Sequence, residues 1–215
     1  MEAESLHDTL REVRDKLDQN HAVRLHRAIS WLRCAERYCD ADEDIALIAA
    51  WIAFNACYAI DDQHVSHDAR TDFNEFTRKL CEADAENRIG NLLWLKYSQF
   101  VRLLIDNQFV FAPFWSSVRT GDSDWEQKFQ KNRQRALHAL ASNEISILLS
   151  IILDRLYVLR NQLLHGGATY QSYLNRDQVR DGKNLLLELL PVVIELMMKH
   201  KEIDWGNIHY PVIED

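Results

Sequence analysis

The chain has 215 residues and carries 33 acidic against 25 basic side chains, a formal net charge of −8. With 47% hydrophobic and 27% charged residues it reads as one ordinary soluble globular domain, not a disordered chain. The negative balance excludes a generally basic, histone-like nucleic-acid binder while leaving room for a local basic groove, and six glycines and three prolines are too few for a many-turned β fold.

The N-terminus, MEAESLHDTLREVRDKL, is charged and amphipathic and does not read as a secretory signal. Leu6, Leu10, Val13 and Leu17 form one apolar helix stripe, with Asn20 as its stop. Residues 22–38 predict a second helix with Leu25, Ile29 and Leu32 on one side; Arg24, Arg27, Arg33 and Arg37 make it locally basic. Asp42-Glu43-Asp44 suit the positive end of a third helix. The run IALIAAWIAFNACYAI that follows is apolar nearly all round, which places this helix centrally. Its one amide, Asn55, is expected to bond a neighbouring helix. No apolar run reaches the ~20 residues of a membrane span, so no membrane partner and a cytoplasmic location are expected. Cys34, Cys39, Cys57 and Cys81 form no CxxC pair and read as reduced, mostly buried packing residues.

The polar connection 61–68, DDQHVSHD, holds two His and three Asp, but its spacing matches no metal motif; no metal ligand set is assigned and no cofactor is implied. Residues 70–84 and 90–106 predict two more helices, and NQFVFAPFW around Pro113 an irregular aromatic stretch. Residues 122–140 predict a charged amphipathic helix whose Lys128, Lys131, Arg133 and Arg135 can contact RNA or simply form a solvated face. Ser142 or Asn143 is a candidate cap for the next helix. Ile145, Leu148, Leu149, Ile152, Leu156, Leu159 and Leu163 mark its buried stripe, and Gly166-Gly167 its end. Asp177 can cap a last helix to about Lys199, with a kink at Pro191. The tail 201–215 is expected to pack as coil. The economical architecture is one all-α domain, a helical bundle over 1–215, with 61–141 as a possible insertion.

The segment Arg160-Asn161-Gln162-Leu163-Leu164-His165-Gly166 is the most informative. Arg and His are ordinary in a last turn, where cations suit the helix end. An Asn inside a strong helix is less ordinary. Asn161 and His165 stand about 40° apart around the axis, close enough for the amide to orient the imidazole. Arg160 and His165 stand about 140° apart, so one straight helix cannot aim both at one phosphate. Either the helix unwinds at 164–167, or a second subunit contributes.

LYVLRNQLLHGGATY resembles the signature of HEPN domains: an Arg, often followed by Asn, then four to six residues and a His. WIAFNACYA resembles the core helix of several bacterial HEPN families. The resemblance covers about 22–60 and 142–200. It implies a HEPN-like helical bundle that dimerises, and in many members a metal-independent endoribonuclease, often a toxin or defence effector restrained by an antitoxin or regulatory partner. Carried over, Arg160, Asn161 and His165 are the catalytic residues. A histidine can move protons near neutral pH, an arginine offers a forked cation to phosphate oxygens, and the 2′-OH they would activate exists only in RNA. Tyr170, Tyr173 and Arg176, just beyond, are candidate RNA contacts. The alternative is a non-catalytic bundle that binds a nucleotide, RNA or a partner protein.

Overall fold

The computed structural model describes residues 1–59, 69–121, 123–173, 175–208 and 210–212, with side chains from 73 onward in the helix that begins at 69. Its elements are helical throughout, with no β-strand among the described residues. None of these helices is long and apolar enough to cross a membrane.

Helix α1 spans Glu2–Val13 and ends in a 3-10 turn, Arg14–Lys16. The next helix begins earlier than its apolar spacing predicts. The Asp18 carboxylate accepts from the His21 amide, so α2 covers Gln19–Tyr38 and Asn20 lies inside its first turn instead of stopping α1. Asp42 likewise accepts from the Ile45 amide and opens α3, Glu43–Tyr58. The short 39–42 connection folds α2 and α3 back as a hairpin. Ala46, Ala49, Ala50 and Ala53 of α3 are fully buried, and their small side chains let α2 and α10 (Arg176–Lys199) pack closely on both sides.

The middle of the chain departs most from its periodicity. Helix α4 spans Ala69–Ala83. The helix expected over 90–106 is broken into α5 (Arg88–Asn91), a wide π turn (Leu92–Lys96) and α6 (Ser98–Asp106). Both residues at the break are held by Glu188 of α10: Lys96 Nζ at 2.5 Å and Tyr97 Oη at 2.7 Å donate to its two oxygens. That clamp comes from far along the chain and leaves no trace in local spacing. The aromatic stretch around Pro113 is a 3-10 turn followed by α7, Ala112–Thr120. Pro113 stands in its first turn, where a missing N–H costs nothing. Helix α8 is Trp125–Ala141 and α9 is Ile145–Leu164. Neither Ser142 nor Asn143 caps α9; Asn143 adopts a left-handed φ of +56° and the turn closes through the backbone. Asp177 sits in the first turn of α10, and Asn175 precedes the helix without a side-chain cap. Helix α10 runs on through the buried Pro191 to Lys199.

One continuous apolar cluster extends from Ala3 to Trp205 and includes Phe76, Leu80, Ile89, Leu93 and Leu140, so the middle helices share the core of the rest. Helices α9 and α10 approach closely at Gly182, where an added Cβ would lie 2.8 Å from Leu156. The described part of the tail, 201–208 and 210–212, packs as coil. Trp205 is buried against Phe76, and its carbonyl accepts from Arg24 Nη1 at 2.5 Å. All four cysteines are free; Cys57 is sealed in the core, where burial pushes its thiol up to about 12, and the other three are partly buried.

Candidate functional site at the end of α9

The apolar stripe of α9 buries Leu148, Leu149, Ile152, Leu156 and Leu159 and carries the helix to its exposed C-terminal end. There Arg160 and Asn161 are half-buried, and His165 is exposed as the C-cap. The helix keeps its turn up to His165, whose amide donates to the Asn161 carbonyl at 3.0 Å. The chain reverses one residue later. Gly166 adopts φ +68°, and the Gly167 amide closes on the Gln162 carbonyl at 2.7 Å. The unwinding therefore begins at His165, whose Cα still stands about 140° around the axis from Arg160.

Asn161 does not hold the imidazole. Its Oδ1 accepts from Arg160 Nη1 at 2.7 Å, and the Arg160 guanidinium lies 5.7 Å from the ring centre of Tyr157. This fixes the arginine against the helix surface. Among the described residues the His165 ring has no hydrogen-bond partner, so it is free to meet a substrate.

Tyr170, Gln171 and Arg176 pin the chain after α9 to the N-terminus of α3. The buried Asp44 carboxylate accepts from the Gln171 amide at 2.9 Å and from Arg176 Nη2 at 2.8 Å. Arg176 Nη1 also reaches Glu43 at 3.4 Å. Tyr170 donates its hydroxyl to Asp42, and this bond pushes the phenol pKa up. Gln162 braces the loop from below: its Oε1 accepts from Asn175 Nδ2 at 3.0 Å, and its Nε2 donates to the Phe109 carbonyl at 2.6 Å. Tyr173, by contrast, is 99% exposed. The motif and the three residues beyond it thus share one end of the bundle, with Arg176 turned to α3 and Tyr173 to solvent.

The other sequence candidates scatter. Arg24 is buried, Arg27 binds the Tyr210 carbonyl, and Arg33 pairs with Glu4, so these arginines of α2 make no single basic track. Arg133 pairs with Asp106 and Lys128 with Asp124. Asn55 Oδ1 is buried without a partner among the described residues, and the expected bond through it to another helix is not made. The 61–68 segment lies outside the described residues. Glu4, His7 and Asp8 bring ligand atoms within 4.8 Å of one another on the surface of α1, an ordinary arrangement for a charged helix.

The chain matches no family model, no curated protein and no solved structure.

One residue that the motif reading passes over is Arg155. It stands three residues after Ile152 and four before Leu159, on the buried stripe of α9, and it is 2% exposed. A cation in the register of an apolar stripe was the signal available in the sequence.

Proposed function

We propose that the chain is a metal-independent endoribonuclease of the HEPN type that works as a homodimer. The observation that carries this reading is the end of α9. A half-buried, oriented Arg160 and an exposed His165, its ring without a hydrogen-bond partner among the described residues, stand five residues apart at the end of one helix. The histidine takes the 2′-OH proton, the 2′ oxygen attacks the adjacent phosphorus, and the bond to the 5′ oxygen breaks as the imidazolium returns the proton to it. A permanently charged guanidinium stabilises the pentavalent phosphorus between these steps. Asn161 acts through Arg160, by the bond its Oδ1 accepts.

The angle between Arg160 and His165 argues for two copies. A two-fold axis beside this end brings the His165 of one copy to the Arg160 of the other. Exposed Leu164 flanks the motif and suits such a contact. In this reading Tyr170 and Tyr173 stack on bases, and Arg176 serves the site through the loop it holds. A toxin or defence role with a restraining partner, in the cytoplasm, fits such an activity.

The test is cleavage of RNA in EDTA by the native protein beside Arg160→Ala and His165→Ala. The native protein should leave 2′,3′-cyclic phosphate and 5′-hydroxyl ends, and each variant should be slower by about 10²-fold or more with unchanged helicity. If all three proteins are equally inert or equally active, the reading is overturned.

A further inference from the structure

Arg155 is 2% exposed and makes no ion pair among the described residues. Its Nη2 donates to Asn132 Oδ1 at 2.7 Å, while Nε and Nη1 are buried with no partner among the described residues. The rings of Phe111 and Phe129 lie 4.5 and 5.4 Å from the guanidinium carbon. Burial draws the group down to about 10, which leaves it cationic at neutral pH. A buried cation with unmet donors is costly, and an anion brought close to it recovers part of that cost.

The residue lines a cleft of about 930 Å³ between α7, α8 and α9. That size is within the range of small-molecule pockets, about 300–1,000 Å³. Trp51, Tyr58, Phe111 and Tyr157 supply aromatic surface. Exposed Arg119, Lys128, Lys131 and Arg135 line it too, and with Arg155 they make five cations against two carboxylates, Asp124 and Asp154. A local surplus of three positive charges stands out on a chain of net charge −8. Lys128 is paired with Asp124, whereas Arg119, Lys131 and Arg135 make no ion pair among the described residues.

We propose that this cleft binds a small organic phosphate carrying a flat ring, with the phosphate held between the Arg155 end of the cleft and the exposed cations around it and the ring lying on the aromatic wall. A terminal phosphomonoester carries about −1.5 to −2 charges and three acceptor oxygens, and can enter head first. A strand's phosphodiester carries one charge and is flanked on both sides, so it is poorly shaped for an anchor 2% exposed. The site lies outside the Arg160–His165 pair and does not rest on the nuclease reading.

The probes are AMP and UMP, a large and a small ring, titrated calorimetrically into the full chain beside adenosine and inorganic phosphate. At least one nucleotide should bind, with adenosine at least about tenfold weaker. Arg155→Met should weaken that binding by about tenfold or more. Because Arg155 is buried, a second protein keeps the test sound: Lys131→Glu with Arg135→Glu, both at exposed positions, should weaken nucleotide binding several-fold and leave adenosine unchanged. The proposal is overturned if neither nucleotide binds, if binding ignores both sets of substitutions, or if a single-stranded RNA binds through these residues and the mononucleotides do not.

Discussion

Arg24 and Arg155 are buried to the same degree, 1% and 2% exposed, on two apolar helices of one bundle. Their surroundings differ. Arg24 spends Nη1 on the Trp205 carbonyl and Nη2 on the Ala59 carbonyl, so it ties α2 to the tail and to the end of α3. Only its Nε lacks a partner among the described residues. Arg155 has one bond, two orphaned nitrogens and a cleft beside it. Burial alone therefore does not separate a structural cation from a binding one. The fate of each N–H does, because a buried donor without an acceptor costs free energy that a ligand can recover.

This contrast can be broken by substitution. The largest effect is expected at Arg24. Arg24→Met strands two carbonyls and should lower unfolding free energy by about 3 kcal/mol, read from urea denaturation. Arg155→Met should stay within about 1 kcal/mol of the native protein, because the lost bond to Asn132 and the lost ring stacking are offset by removal of a desolvated cation. Equal losses in the two variants would make Arg155 as structural as Arg24 and remove the distinction.

The smallest effect is a pH dependence at the Arg24 end. His21 Nε2 lies 2.9 Å from the Met197 carbonyl, and burial, aided by the charge of Arg24, lowers its pKa from 6.5. The folded state then prefers the neutral ring, while the unfolded chain takes up a proton near 6.5. Stability should fall as pH drops below that value and level off below the lowered folded pKa. The slope should be well under the limit of about 1.4 kcal/mol per pH unit for one proton, since part of the ring is exposed. His21→Gln, which keeps a donor for Met197, should flatten this part of the pH profile; an unchanged profile would assign the loss to other groups.

Much of the helical layout was legible locally. The stripe of α9, the Asp42 opening of α3 and the glycine stop after His165 are written within a few residues of where they act, since caps and periodicity are short-range effects. The breaks at 92–97 and the helix at 112–120 were misread. Glu188, which holds residues 96 and 97, lies far along the chain, and the helix at 112–120 packs Phe114 on Trp125 of the following helix, a contact that apolar spacing does not record. The candidate site was legible as a motif but not as a geometry. Asn161 binding Arg160 in place of His165, and Arg176 turning to Asp44, depend on rotamers and on the position of α3.

The sequence by itself determined an all-helical chain with an Arg-Asn-x-x-x-His string ending an apolar helix, because hydrophobic spacing and turn chemistry act over one or two turns. The tertiary structure decided which charges are sealed and which are answered. It answers Arg24 with the tail, more than 180 residues away, and leaves Arg155 open beside a cationic, aromatic cleft. Whether a buried donor meets an acceptor depends on segments brought together only by folding, and no local pattern records that.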